Sequence, residues 1–92
     1  MDQYKNILEG LIKRQMGILG RAKTEKILAD TGIRFDFLTQ SLLDYQADGK
    51  QLMQLLGERI LQTGGEVALI GARVSVILRS SREGLELPKI FL

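Results

Sequence analysis

The chain has 92 residues, 13 basic against 11 acidic side chains for a net charge of +2, and is 45% hydrophobic and 26% charged. Those proportions belong to an ordinary globular protein rather than a disordered chain, and the length allows one core, hence one domain over residues 1–92. Cysteine and histidine are both absent, which excludes thiolate nucleophiles, Ser-His-Asp triads, structural zinc, and haem held by either residue.

Charge is spread evenly, about +1 in each half, too mild a balance to indicate nucleic acid by itself. No uninterrupted apolar run reaches the ~18–20 residues of a membrane span; the longest is cut by Arg73 and Ser75. The N-terminal MDQYKNILEG carries Asp2 and no continuous apolar stretch, so it does not read as a secretory signal, and the expectation is a cytoplasmic protein without a membrane role. The only aromatics are Tyr4, Phe35, Phe37, Tyr45 and Phe91, which leaves Leu, Ile and Val to build the core. No disulfide can reinforce it, so packing, shared between subunits if need be, must supply the stability.

In chain order, the first segment reads as an amphipathic helix from about Asp2. Tyr4, Ile7, Leu8, Leu11, Ile12, Ile18, Leu19 and Ala22 recur at helical spacing on one side. Asp2 suits the positive end of the helix dipole. Gly17 and Gly20 interrupt the pattern, yet the stripe keeps its phase through Ala22, which predicts a continuous or merely kinked helix. A further helical stretch, 21–30, closes at Gly32, where glycine supplies a left-handed terminal residue. Residues 33–47 read as an extended or irregular connection whose Phe and Leu side chains cover the core: Ile33, Phe35 and Phe37 alternate with Arg34 and Asp36.

Asp48 followed by Gln51 has the form of a capping box, and Leu52, Leu55, Leu56, Ile60 and Leu61 follow at helical spacing. Thr63 with Glu66 repeats the pattern and predicts a last helix running to 82–83 and closing at Gly84, ahead of Pro88. That helix is apolar on nearly every side, a property of elements central to a core or buried against another chain. The fold class expected is mainly α, a small four-helix domain with an extended middle segment and no evident sequence repeat. The alternative is α+β, with Glu66–Ile70, Arg73–Ser80 and Leu85–Leu92 as a C-terminal β-meander, since β-branched residues favour strands.

Functional motifs are few. On a continuous first helix Lys13, Arg14, Gly17, Gly20 and Arg21 share a sector, with Lys23 and Lys26 nearby. Bare glycine backbone beside cations is a candidate surface for a phosphate, a carboxylate or an acidic partner. The same pattern equally describes a solvated positive face, and it lacks the aromatics on which single-stranded bases stack. The Gly17–Lys23 stretch fails the phosphate-loop pattern, because only two residues separate its glycines and Lys does not follow the second. Asp44–Gly49 half-matches a calcium loop, but position twelve is Leu55 where a bidentate Glu is needed. Of the eleven carboxylates, only Asp36, between Phe35 and Phe37, has an apolar context of the kind that raises a pKa, and a solvated loop acid is the favoured reading there. Arg73, inside the most apolar stretch, either snorkels outward or pairs with a carboxylate at an interface.

The function expected from these residues is therefore non-catalytic: an interaction or adaptor module that self-associates as a dimer, or binds another protein. Its expected interface is Val67, Ile70, Val74 and Ile77 with the tail residues Ile90, Phe91 and Leu92. Nucleic-acid binding through the Lys13–Lys26 face is the alternative. No catalytic residue, metal, cofactor or small-molecule substrate is expected.

Overall fold

The computed structural model describes residues 4–46 and 48–92, apart from the side chains at 82 and 83. The expected helix-start residue Asp2, and Ala47 within the 44–49 stretch that half-matches a calcium loop, lie outside the described residues. The chain is mainly α: α1 (Tyr4–Leu19), α2 (Arg21–Thr31), a β1–β2 hairpin (Arg34–Asp36 and Ser41–Asp44), α3 (Gly49–Glu83) and a 3-10 turn (Lys89–Phe91). The β-meander alternative is overturned. Residues 66–83 are helical and the tail forms only the 3-10 turn, so among the described residues the hairpin supplies the only strands. Val and Ile in this stretch follow helical packing, which overrides their β-propensity when a helix face has a core to cover.

Two glycines fix the path. Gly20 (φ 87°, ψ 163°) separates α1 from α2, and Gly65 (φ 73°, ψ −170°) breaks α3 into arms of residues 49–64 and 66–83. Both lie in a region of backbone space that is essentially closed to residues with a Cβ. The continuous first helix is thus corrected to two helices, and Ala22, expected on the apolar stripe, is exposed on α2. The break expected at Thr63 falls at Gly65 instead, and Thr63 stays helical. Asp48 does precede the helix start, but its side chain makes no capping bond. Gly32 and Gly84 close their helices in the left-handed conformation, as expected.

These breaks reveal an internal correspondence. α1 is 16 residues long and meets Gly20; the first arm of α3 has the same length and meets Gly65. In that register Ile7 matches Leu52, Leu8 matches Met53, Leu11 matches Leu56, Gln15 matches Ile60, Thr24 matches Leu69 and Ile27 matches Ala72. Every member of every pair is buried. The correspondence is partial: exposed Lys23 falls opposite buried Ala68, buried Leu28 opposite half-buried Arg73, and buried Ile33 opposite exposed Leu78.

The core is a single cluster drawn from α1, α2, β2 and both arms of α3, closed by Phe91 from the tail. Phe91 is fully buried, so its expected place at an interface between chains is corrected: it completes this chain's own core. Ile90 is half-buried against Gly57, where a Cβ would stand 2.6 Å from its Cγ2. The tail is fastened by polar contacts as well. The Ile90 N–H donates to Gln54 Oε1 (3.1 Å), and Arg73 Nε donates to the Ile90 carbonyl (2.8 Å). Tyr4 Oη donates to the Glu86 carbonyl (2.7 Å).

The hairpin pairs Phe35 with Leu42 and Asp36 with Ser41, with an irregularity beside Arg34. Leu42 is buried, Phe35 and Phe37 pack partly against the core, and Leu38 and Leu43 face solvent. So this middle segment covers the core with some of its apolar side chains and not others.

Candidate functional site

Two outer surfaces stand out, one apolar and one charged. The second arm of α3 is apolar on two sides. Ala68, Leu69, Ala72 and Val76 face the core, whereas Val67, Ile70, Val74, Ile77 and Leu78 are exposed. At 100° per residue the two sets lie on nearly opposite faces. The exposed set follows a 3-4-3 spacing, the period with which one helix presents a seam to another. Val67 is 83% exposed and Val74 56%, so the chain's own core leaves this surface uncovered. Leu92, 78% exposed, is the one residue of the expected tail contribution that is open to solvent.

In the register of Gly20 and Gly65 the two halves differ along this stripe. The positions matching Val67, Ile70 and Val74 in the first unit are Ala22, Glu25 and Ala29, all exposed. One copy of the unit carries small or charged residues there, the other β-branched apolar ones. Arg73, the charge inside this segment, turns away to bond the Ile90 carbonyl. A backbone acceptor on the tail takes its Nε, and among the described residues no carboxylate pairs with it. The stretch 49–81 has the length and composition of a membrane-crossing helix, with a mean hydropathy of 1.3 over its best 18 residues. Only 28% of that window is buried, which again leaves apolar surface outward.

The expected basic sector is divided. With α1 ended at Gly20, Lys13, Arg14 and Gly17 belong to one helix and Arg21, Lys23 and Lys26 to another. Lys13 lies 3.6 Å from Glu9, and Arg21 bonds Glu25 at 2.8 Å while its guanidinium sits 4.9 Å from the Phe37 ring centre. Lys13 and Arg21 thus have partners within the chain, and Arg14 forms no ion pair among the described residues. Lys23 and Lys26 instead line a cavity of about 280 Å³ between α2 and the first arm of α3, together with Ile27, Asp30, Arg59, Gln62 and Thr63. Arg59, Gln62 and Thr63 escape a reading of the sequence because helix packing, not chain proximity, brings them to Lys23 and Lys26.

Carboxylates are held by local hydrogen bonds. Asp36 accepts from the Leu38 and Thr39 N–H groups (2.9 and 3.4 Å), and these bonds lower its pKa. The two Phe rings stack edge to face on one another, 5.0 Å apart, while turn amides face the carboxylate. Glu9 accepts from the Leu42 N–H at 2.9 Å, which lowers its pKa and pins the hairpin to α1. Lys50 and Glu86 bond at 2.7 Å on the surface, which lowers the Glu86 pKa and raises that of Lys50. Among the described residues no group of three or more potential metal ligands comes together.

The architecture defined by these features is a small, mainly α protein with a two-stranded hairpin and an outward apolar helix face. No family model matches the chain, and comparisons with curated proteins and with solved structures give no significant match.

Proposed function

We propose that this chain is a non-catalytic interaction module that self-associates, a second copy covering Val67, Ile70, Val74, Ile77 and Leu78. The observation that carries the reading is the contrast between the two helical units. Equivalent exposed positions are Ala22, Glu25 and Ala29 in one and Val67, Ile70 and Val74 in the other. Burying such side chains is worth about 1.5–3 kcal/mol each when complete. The β-branched residues lose little rotamer freedom on packing. A second copy offers the same uncharged stripe, so the surface complements itself about a twofold axis. A membrane-surface helix would instead be rich in Lys and Arg on its polar face, and the nearest cation, Arg73, is committed to the tail. In this reading the arms of α3 act as two helices, which makes the module a four-helix domain.

Sedimentation equilibrium tests it. The parent chain is expected to dimerise at micromolar concentration, and the double variant V67E/V74E to be monomeric with an unchanged circular dichroism spectrum. Both side chains are exposed in the single chain, so the substitutions perturb its folding by no more than about 0.5 kcal/mol each. A parent chain that stays monomeric at high micromolar concentration defeats the proposal. Flotation of that monomer with lipid vesicles, lost in the same variant, would assign the stripe to a membrane instead.

A further inference from the structure

We infer that the cavity between α2 and the first arm of α3 is a binding site for a small phosphorylated compound, independent of the apolar stripe. Its lining carries three cations, Lys23, Lys26 and Arg59, against one acid, Asp30. Lys23 and Lys26 stand about one helical turn apart on α2, and Arg59 faces them from α3. Their partners are few. Arg59 approaches Asp30 only at 4.0 Å, and among the described residues Lys23 and Lys26 form no ion pair. Lys13, Arg21 and Lys50, by contrast, reach carboxylates at 3.6, 2.8 and 2.7 Å.

Lys23 and Lys26 are both exposed on α2. Like charges one helical turn apart oppose folding slightly, a cost that a bound anion removes. A phosphate monoester suits the set: two ammonium groups and a guanidinium can donate to its three terminal oxygens, the guanidinium in bidentate fashion. Gln62 and Thr63 offer neutral hydrogen-bonding groups, and Asp30 offers an acceptor suited to a hydroxyl of the ligand. At about 280 Å³ the cavity lies near the lower end of small-molecule sites.

The geometry favours a small molecule over a polynucleotide. The cations converge on one concave place and do not track along the surface as a phosphodiester backbone requires. The lining holds no aromatic residue on which bases could stack. Lys13 and Arg21, which would extend a basic track, are engaged with Glu9 and Glu25.

The test is an amide NMR titration with inorganic phosphate, with glycerol 3-phosphate and with a single-stranded oligonucleotide, at constant ionic strength. Saturable shifts confined to residues 23–30 and 59–63 are expected with the first two probes. The double variant K26Q/R59Q is expected to weaken binding at least about tenfold, whereas K13Q/R14Q, which removes the same charge elsewhere, leaves it within about twofold. Both variants replace solvent-facing charges, and their amide spectra report directly whether each is folded. Shifts that fail to saturate, or that both variants weaken equally, overturn the site. Tighter binding of the oligonucleotide, with shifts spreading over α1, would overturn it in favour of a nucleic-acid surface.

Discussion

At the scale of single residues, Gln15 is the most telling. It is 3% exposed, and neither its Oε1 nor its Nε2 has a hydrogen-bond partner. Leu11, Ile12, Leu28 and Ile60 stand around the same small cavity, and the matching position in the second unit is Ile60 itself. An unpaired buried amide costs about 1–3 kcal/mol, so Gln15→Leu is expected to stabilise the chain. For a domain of this size each kcal/mol raises Tm by about 4–8 °C. A thermal melt followed by circular dichroism reads the change, and a lower Tm would show that the amide is paired in solution. Glu9 gives a pH prediction with a definite sign. The Leu42 N–H lowers its folded pKa below the ordinary 4.5, so its contribution is complete above that value and fades as pH falls through the lower one. The Tm difference between the parent and Glu9→Gln is expected to be largest near neutrality and to close in acid, where a protonated Glu resembles Gln. A difference independent of pH would remove the ionised carboxylate from the explanation.

At the scale of elements, the tail and α3 behave differently from what their apolar composition implies. Ile90, Phe91 and Leu92 read alike in the sequence, yet Phe91 is in the core, Ile90 is half-buried and Leu92 faces solvent. Phe91→Ala is expected to destabilise by about 3–5 kcal/mol, the usual range for a fully buried Phe, measurable as a shift in the urea midpoint. A loss below about 1 kcal/mol would mean that the tail is detached in solution. The helix starts and ends were legible where local chemistry decides them: Asp48 marks the start of α3, and Gly32 and Gly84 mark closures. The breaks at Gly20 and Gly65 were harder to read. Many glycines sit harmlessly in helices, and only the dihedral angles distinguish a tolerated glycine such as Gly17 from one the path requires.

For the whole molecule, the apolar stripe and the charged cavity make separable predictions: V67E/V74E is expected to abolish self-association and leave phosphate binding intact, and K26Q/R59Q the reverse. Sedimentation reads the first property and the amide NMR titration with phosphate the second, and joint loss in either variant would mean one composite surface. The residues by themselves determined that the chain is mainly helical. They also determined that Val67, Ile70, Val74 and Ile77 exceed what one helix face needs, because both follow from periodicity and composition within a short window. Tertiary structure decided the rest. It assigned Phe91 to the core and Arg73 to the tail carbonyl, divided the basic face at Gly20, and carried Arg59 to Lys23 and Lys26. Each of these depends on contacts between residues distant in sequence, and such contacts are set by how helices pack, which no local pattern encodes.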